Sequence, residues 1–317
     1  MPRFTVITPS YNQAAYIGAT IASVLTQDLT DFEYRIIDGG STDGTVALLR
    51  AQTDPRLTWV SEKDRGQANA INKGMMTAQG DLLTFINSDD VLLPGALRCA
   101  ADYFAAHPDT DLIYGDSEFI DAAGAHLSVF FSEEFDVHDL LVGGQEFTQP
   151  GMAWRRRMSA RIGAFDERLH YQFDREFCLR AALAGASLDY VPGIRAQYRL
   201  HEHSKTVSQA DRFLDDWRAV THEVFRRTDL PDGVRALQRD VEAYFVWHDA
   251  KRDWAKGDYP AARPRLWRTL RGGRASRRVL AAAMLLDSYA GTRLAPAVAR
   301  LFTRVTGKPV ELLSSVE

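Results

Sequence analysis

The stretch that decides the fold is GDLLTFINSDD, residues 80–90. Its first part reads as a short buried strand. The chain then presents Asn87, Ser88, Asp89 and Asp90. Two neighbouring carboxylates repel each other, so their position at the end of a core strand needs a physical reason. One is a divalent cation held between them and an anionic ligand. Mg²⁺ and Mn²⁺ prefer oxygen donors and commonly take one or two carboxylates, with phosphate oxygens filling the rest. The other is an Asx turn or helix cap ahead of Leu92-Leu93-Pro94.

Outward from this stretch, strands and helices alternate. FTVITP (4–9) is a β-branched run ending in Pro, and NQAAYIGATIASVLTQ (12–27) carries Tyr16, Ile17, Ile21, Val24 and Leu25 on one helical face. Strands follow at 32–40, 57–62, 81–87 and 111–116, with helices at 41–52, 66–78 and 93–108. This alternation predicts an α/β fold, a mostly parallel sheet covered by helices on both faces. Ligands of such sheets sit beyond the carboxyl ends of the strands. Four polar clusters lie at those ends: Pro9-Ser10-Tyr11, Asp38-Gly39-Gly40, Glu62-Lys63-Asp64-Arg65 and Asn87-Ser88-Asp89-Asp90. Residues 117–205 are mixed and loop-rich, and from about 206 the pattern turns helical. The predicted division is an α/β domain over 1–210 and a basic helical extension over 211–317.

The chain has 317 residues and an ordinary soluble composition, 45% hydrophobic and 25% charged. Its two cysteines, Cys99 and Cys178, make no disulfide framework, so a reduced, cytoplasmic setting is expected. The N-terminus lacks the apolar core of a signal peptide, and VLAAAMLL (279–286) is too short to span a bilayer. The net charge of −4 hides an asymmetry: residues 251–308 carry 14 Lys/Arg against 3 Asp/Glu. A basic tail on an acidic body predicts an anionic partner. RPRLWRTLRGGRASRRVLAAAMLL (263–286) mixes Arg with Trp and Leu, which suits peripheral contact with the anionic inner face of the plasma membrane. An oligomerisation helix, giving a homo-oligomer, and a solvated basic face are the alternatives. No nucleic-acid motif accompanies the basic residues, and nucleic acid is not an expected partner. A nicotinamide-dependent oxidoreductase is disfavoured, because no GxGxxG follows the first strand.

The motifs TPSYN (8–12), IDGGSTDGT (37–45), DRGQANAINKG (64–74) and NSDD (87–90), in this order on strand ends, resemble family 2 glycosyltransferases of GT-A fold. The resemblance continues through YGD (114–116), QPGMAWRR (149–156), GAFDERLHYQFDREFCLRAALAG (163–185) and YRLHEHSKTVSQ (198–209), over roughly the first 210 residues. It implies an inverting transfer from a UDP- or TDP-sugar to a saccharide or lipid-linked saccharide, in exopolysaccharide, O-antigen or capsule synthesis. Mn²⁺ or Mg²⁺ would be the cofactor. Thr8, Pro9, Tyr11 and Asp38 would line the nucleoside pocket, and Arg65 and Asn69 would hold the phosphates and sugar. Asn87-Ser88-Asp89 occupies the position of the family's metal-binding Asp-x-Asp. With Asn first, metal binding would rest on Asp89, helped by Asp90, while Ser88 and Asp90 are also counted with the donor-binding residues.

In FDREF (173–177) the resemblance places Asp174 at the family's catalytic base; from the residues alone it reads as a cap or as a partner of Arg175 or Arg180. In YRLHEHSKT, the residues Arg199, His201, His203 and Lys205 would share one face of an extended segment, able to close over a diphosphate or supply a metal ligand. The resemblance singles out His201 as that ligand. Gln149, Trp154 and His170, with Glu118 and Asp121, are candidates for acceptor contact. Trp154 would stack on a sugar ring or serve as a core residue. The alternative to an enzyme is a non-catalytic nucleotide-sugar-binding scaffold, which would be marked by loss of the base or metal carboxylate; Asp89 and Asp174 are both present.

Overall fold

The computed structural model describes residues 3–143, 147–205, 210–272, 275–291 and 294–306. The strands are β1 (Phe4–Ser10), β2 (Phe32–Asp38), β3 (Leu57–Ser61), β4 (Leu82–Phe85), β5 (Val91–Leu92), β6 (Leu112–Ile120), β7 (His126–Phe130), β8 (Ala153–Arg155) and β9 (Leu188–Arg199). They form one sheet in the order β3-β2-β1-β4-β8-β6-β9-β5, with β7 added alongside β6. The first four pair in parallel, and β6 pairs in parallel with β9. β8 enters between β4 and β6 antiparallel to both, and β5 closes antiparallel on β9.

The strand ends are in register. Ser10 lies opposite Asp38, Asp38 opposite Ser61, and Ile7 opposite Phe85. The loops leaving β1, β2, β3 and β4 therefore emerge along one edge.

Helices α1 (Ile17–Leu25), α2 (Thr45–Arg50), α3 (Gln67–Met76) and α4 (Ala96–Ala106) connect these strands. Phe4 and Val6 of β1 belong to a core shared with Ile17, Ile21 and Val24 of α1, Leu49 of α2 and Leu97, Ala101 and Phe104 of α4. Ile7 points the other way, as the strand period requires. It meets α3, where a Cβ on Gly74 would fall 2.7 Å from Ile7 Cγ2, so the close approach of helix to strand requires glycine. Short helices α5 (Val137–Leu141) and α6 (Arg156–Ile162) lead to α7 (Phe173–Leu183). Phe85, Trp154, Phe165, Phe173 and Phe177 form an aromatic cluster of mostly edge-to-face contacts, with Phe165 stacked on Phe177.

The chain divides into two compact units: residues 1–140 with 144–223, and residues 141–143 with 224–317. The first unit ends at residue 223, within helix α8 (Ala210–Arg226), whose last residues belong to the second. The second holds α9 (Asp232–Ala236), α10 (Gln238–Ala255), α11 (Tyr259–Gly272), α12 (Ala275–Ala290) and α13 (Leu294–Thr306). Its core is Trp247, Ala250, Leu266, Leu280, Met284 and Leu285 with the small residues of α13, Ala295 and Ala299. Among the described residues no helix is long and apolar enough to cross a membrane.

Candidate active site

The strand-end edge is built first by two interlocked loops. Asn12 takes φ +53°, a left-handed conformation that Asn tolerates better than most residues. Its Oδ1 accepts from Thr42 N (2.9 Å), while Asn12 N, Gln13 N and Ala14 N donate to Ser41 Oγ, Thr45 Oγ1 and Asp43 Oδ2. Asp38 anchors the second loop. Its buried carboxylate accepts from Gly40 N, Ser41 N, Ser41 Oγ and Ser61 Oγ at 2.5–3.1 Å. Thr8 is buried beneath, with its hydroxyl paired to Tyr34 (2.9 Å), whereas Tyr11 is exposed. Pro9 is buried as well. Of the four residues expected to line a nucleoside pocket, Tyr11 presents its side chain, and Asp38 and Thr8 are engaged in holding the walls.

The loop after β4 forms the centre. Asn87 Oδ1 accepts from Gln67 Nε2 (2.6 Å), and Asn87 Nδ2 donates to Asp90 Oδ2 (3.0 Å). Asp90 is buried, and its Oδ1 accepts from Arg199 N (2.9 Å). Burial, with the neighbouring charge of Asp89, pushes its pKa well above the usual carboxylate range. Asp90 thus sits under the loop rather than on its open side. Ser88 is buried too. Asp89 keeps some exposure, and its Oδ2 lies 3.1 Å from His201 Nε2, 112 residues away. The His201 ring packs 4.7 Å from Tyr16, and its Nδ1 is buried without a partner among the described residues. Arg199 donates from Nε to Asp89 O (2.8 Å) and from Nη1 to Asp121 O, clamping the loop.

The far side is α7 and the segment after β9. Asp174 lies in the first turn of α7 and accepts from Arg175 N (2.8 Å). Arg180 pairs with Glu176 (2.7 Å), and the Arg175 guanidinium lies 4.0 Å over Trp217. Asp174 keeps a little exposed surface, yet the protein packed around its carboxyl desolvates it and raises its pKa, against the opposing pull of Arg175 and Lys205. Lys205 Nζ donates to Gln67 Oε1 and to His170 O, both at 2.9 Å. Burial lowers its pKa, while Asp174, Asp216 and Asp89 act against the shift. Lys205, Gln67, Asn87 and Asp90 are therefore one continuous chain of hydrogen bonds.

Several expectations are corrected. Residues 201–205 are a turn, closed by Ser204 N on His201 O (2.9 Å), and not an extended strand. The alternation of faces fails there, and His203 stands in solvent. Trp154 is fully buried in the aromatic cluster and has no face for a sugar. Gln149 is likewise buried, its Nε2 donating to Phe85 O (2.7 Å). Glu118 pairs with His126 and Gln197, and Asp121 caps the 121–125 turn. Arg65 is exposed and ion-paired to Glu167 (2.5 Å), toward which Asn69 and Asn72 also turn. His170 is exposed, with its main chain held by Asp216 and Lys205 and its ring beside Gly66. Gln67 was assigned no role by the sequence; its position three residues after Asp64 in DRGQ is its only signal.

The arrangement suits a divalent cation. Asp89 Oδ2 and His201 Nε2 share a hydrogen bond at 3.1 Å, and an octahedral ion with bonds of about 2.0–2.1 Å, which holds neighbouring donors about 3 Å apart, would replace that hydrogen bond without moving the two atoms far. A second group, Asp136, His138 and Asp139, has ligand atoms within 4.8 Å of one another, but Asp136 there caps α5 by accepting from Asp139 N (2.8 Å).

The chain matches the family model described as Glycosyl transferase family 2 over residues 5–161. It is 30% identical over 183 residues to a PGL/p-HBAD biosynthesis glycosyltransferase of Mycobacterium bovis, covering 56% of this chain and 69% of that one. It is 27% identical over 245 residues to the O-antigen biosynthesis protein RfbC of Myxococcus xanthus, covering 76% of this chain but only 18% of that protein. Two solved structures share the fold. One is S. aureus TarS 1–349 in complex with UDP-GlcNAc, with TM-score 0.64 and 18% identity over 97% of this chain and 93% of that. The other is the mannosyltransferase PcManGT of Pyrobaculum calidifontis with GDP-Man and Mn²⁺, with TM-score 0.63 and 22% identity over 96% and 86%.

Proposed function

The chain belongs to glycosyl transferase family 2, and we propose that it is an inverting, metal-dependent enzyme moving a sugar from a nucleotide donor to a saccharide or lipid-linked saccharide hydroxyl in cell-surface polysaccharide synthesis. The observation that carries this reading is the pairing of Asp89 with His201 beside the chain Lys205–Gln67–Asn87–Asp90, whose lysine is under the electrostatic influence of Asp174. The donor complexes of the two structural neighbours, UDP-GlcNAc and GDP-Man, support a nucleotide sugar. The relatives' names support a polysaccharide or glycolipid setting, and a cytoplasmic location belongs to the same proposal.

Asp89 and His201 would hold Mn²⁺ or Mg²⁺, which when bound neutralises charge on the donor diphosphate. The interlocked 11–14 and 41–45 loops would take the nucleoside, with Tyr11 against its open side. Asp174 accepts the proton of the acceptor hydroxyl as that oxygen bonds to the anomeric carbon opposite the leaving diphosphate, which inverts the centre. Desolvation raises the pKa of Asp174, which makes its carboxylate a stronger base than an exposed one. Lys205 supplies a fixed positive charge near both carboxylates, oriented by Gln67 and the His170 carbonyl.

Calorimetric titration with UDP, TDP and GDP, each with Mn²⁺ and with EDTA, tests the reading. One nucleotide should bind, and only with metal; Asp89→Ala should remove the metal-dependent part. Binding that ignores both metal and Asp89 would reduce NSDD to a turn.

A further inference from the structure

The second unit carries a surface of unusual sign. Between Tyr259 and Thr306 the sequence holds ten Arg, no Lys and one acidic residue, Asp287. Asp287 is buried, and its two carboxylate oxygens accept from Leu294 N and Ala295 N, so it caps α13 and offers the surface no negative charge. A solvated helical face ordinarily intersperses both signs. Here the sign is single.

The faces are sorted. On α11, Ala262, Leu266 and Thr269 are buried, while Pro264, Trp267, Arg268 and Arg271 share the opposite, exposed face. On α12, Leu280, Ala281, Met284 and Leu285 are buried, and Arg278, Val279, Leu286 and Tyr289 face outward. Trp267 is 49% exposed and Tyr289 63%. Arg268, Arg271 and Arg278 make no ion pair among the described residues. Large apolar side chains exposed among unpaired arginines mark an interaction surface.

We propose that this face of α11 and α12 docks on an anionic lipid bilayer, with Arg268, Arg271 and Arg278 on the headgroups and Trp267 at the acyl boundary. The charge selects an anionic partner. The aliphatic and aromatic members select one with an apolar layer beneath its charge, which a nucleic-acid backbone lacks. A second copy would set arginine against arginine. The proposal stands apart from the catalytic reading, since lipid binding is measured without turnover.

The test uses the full chain and co-sedimentation with two vesicle types: phosphatidylcholine alone, and phosphatidylcholine with a third of phosphatidylglycerol. Binding to the anionic vesicles only, weakened by salt, is expected. At about fivefold per arginine, the variant Arg268→Gln/Arg271→Gln/Arg278→Gln should bind on the order of a hundredfold more weakly. Trp267→Phe should lose the vesicle-induced blue shift in fluorescence. All four positions are exposed, so an unchanged melting curve checks the fold. Equal binding by wild type and triple variant would overturn the proposal. So would failure to bind anionic vesicles, whether the variants instead change the oligomeric state or the chain instead binds duplex DNA.

Discussion

Replacing Asp174 by Asn should move activity and stability in opposite directions. The substitution keeps the shape and the acceptor for Arg175 N, and removes only the charge. A positioned general base contributes about 10²–10⁴ in rate, or about 3–5 kcal/mol of barrier. Desolvation brings the pKa of Asp174 upward, which strengthens it as a base. Stability follows from linkage. The folded pKa is raised above the ordinary 3.8, so the native state holds the proton more tightly than the unfolded chain does. Wild-type stability therefore falls as pH rises from 3.8 through the folded pKa, and above it the full penalty is present. The Asn variant has no such penalty. Its advantage in urea unfolding should be absent in acid, grow as pH rises through that window and level off above the folded pKa. Transfer is read from nucleoside diphosphate release, and donor binding from calorimetry. Lost donor affinity equal to the lost rate, or an advantage that ignores pH, would refute the reasoning.

Lys205→Met should slow transfer about 10²–10³-fold, the usual cost of removing one preorganised positive group, and Lys205→Arg should recover part of it; a rate unchanged in both would remove Lys205 from the site. Asn87→Asp sets a carboxylate against Asp90 where an amide now donates, and should cost about 1–3 kcal/mol in urea unfolding; unchanged stability would mean that the Asn87–Asp90 bond is dispensable. Trp154→Ala should cost about 3–5 kcal/mol as a core cavity, with nucleotide binding intact at low temperature; a stable variant with lost acceptor affinity would restore a sugar-stacking role.

The sheet was legible because buried strands write their period into the sequence. β2, β3 and β4 fall within the predicted runs, trimmed by one to three residues where the turns take over, and β1 runs one residue beyond its predicted end, to Ser10. β5 was missed: two residues paired antiparallel with β9 carry no period. The helix expected from residue 12 starts at Ile17, because residues 12–14 spend their donors on the neighbouring loop. The alternation read into 199–205 assumed an extended backbone, and a turn broke it. Trp154 illustrates the general difficulty: an aromatic that could stack on a sugar and one that fills a core are spelled alike, and only packing separates them. Gln67 and Lys205 meet across 138 residues, a distance no local pattern spans.

The interlock between residues 12–14 and 41–45 bears on how this edge could be re-engineered. Four hydrogen bonds run from one loop to the other. Transplanting either loop alone from a relative would strand its half of those bonds, while the two moved together would carry their mutual fit with them. If these loops take the nucleoside as proposed, base preference should be exchangeable as a two-segment cassette, and random libraries confined to a single segment should be depleted of folded members.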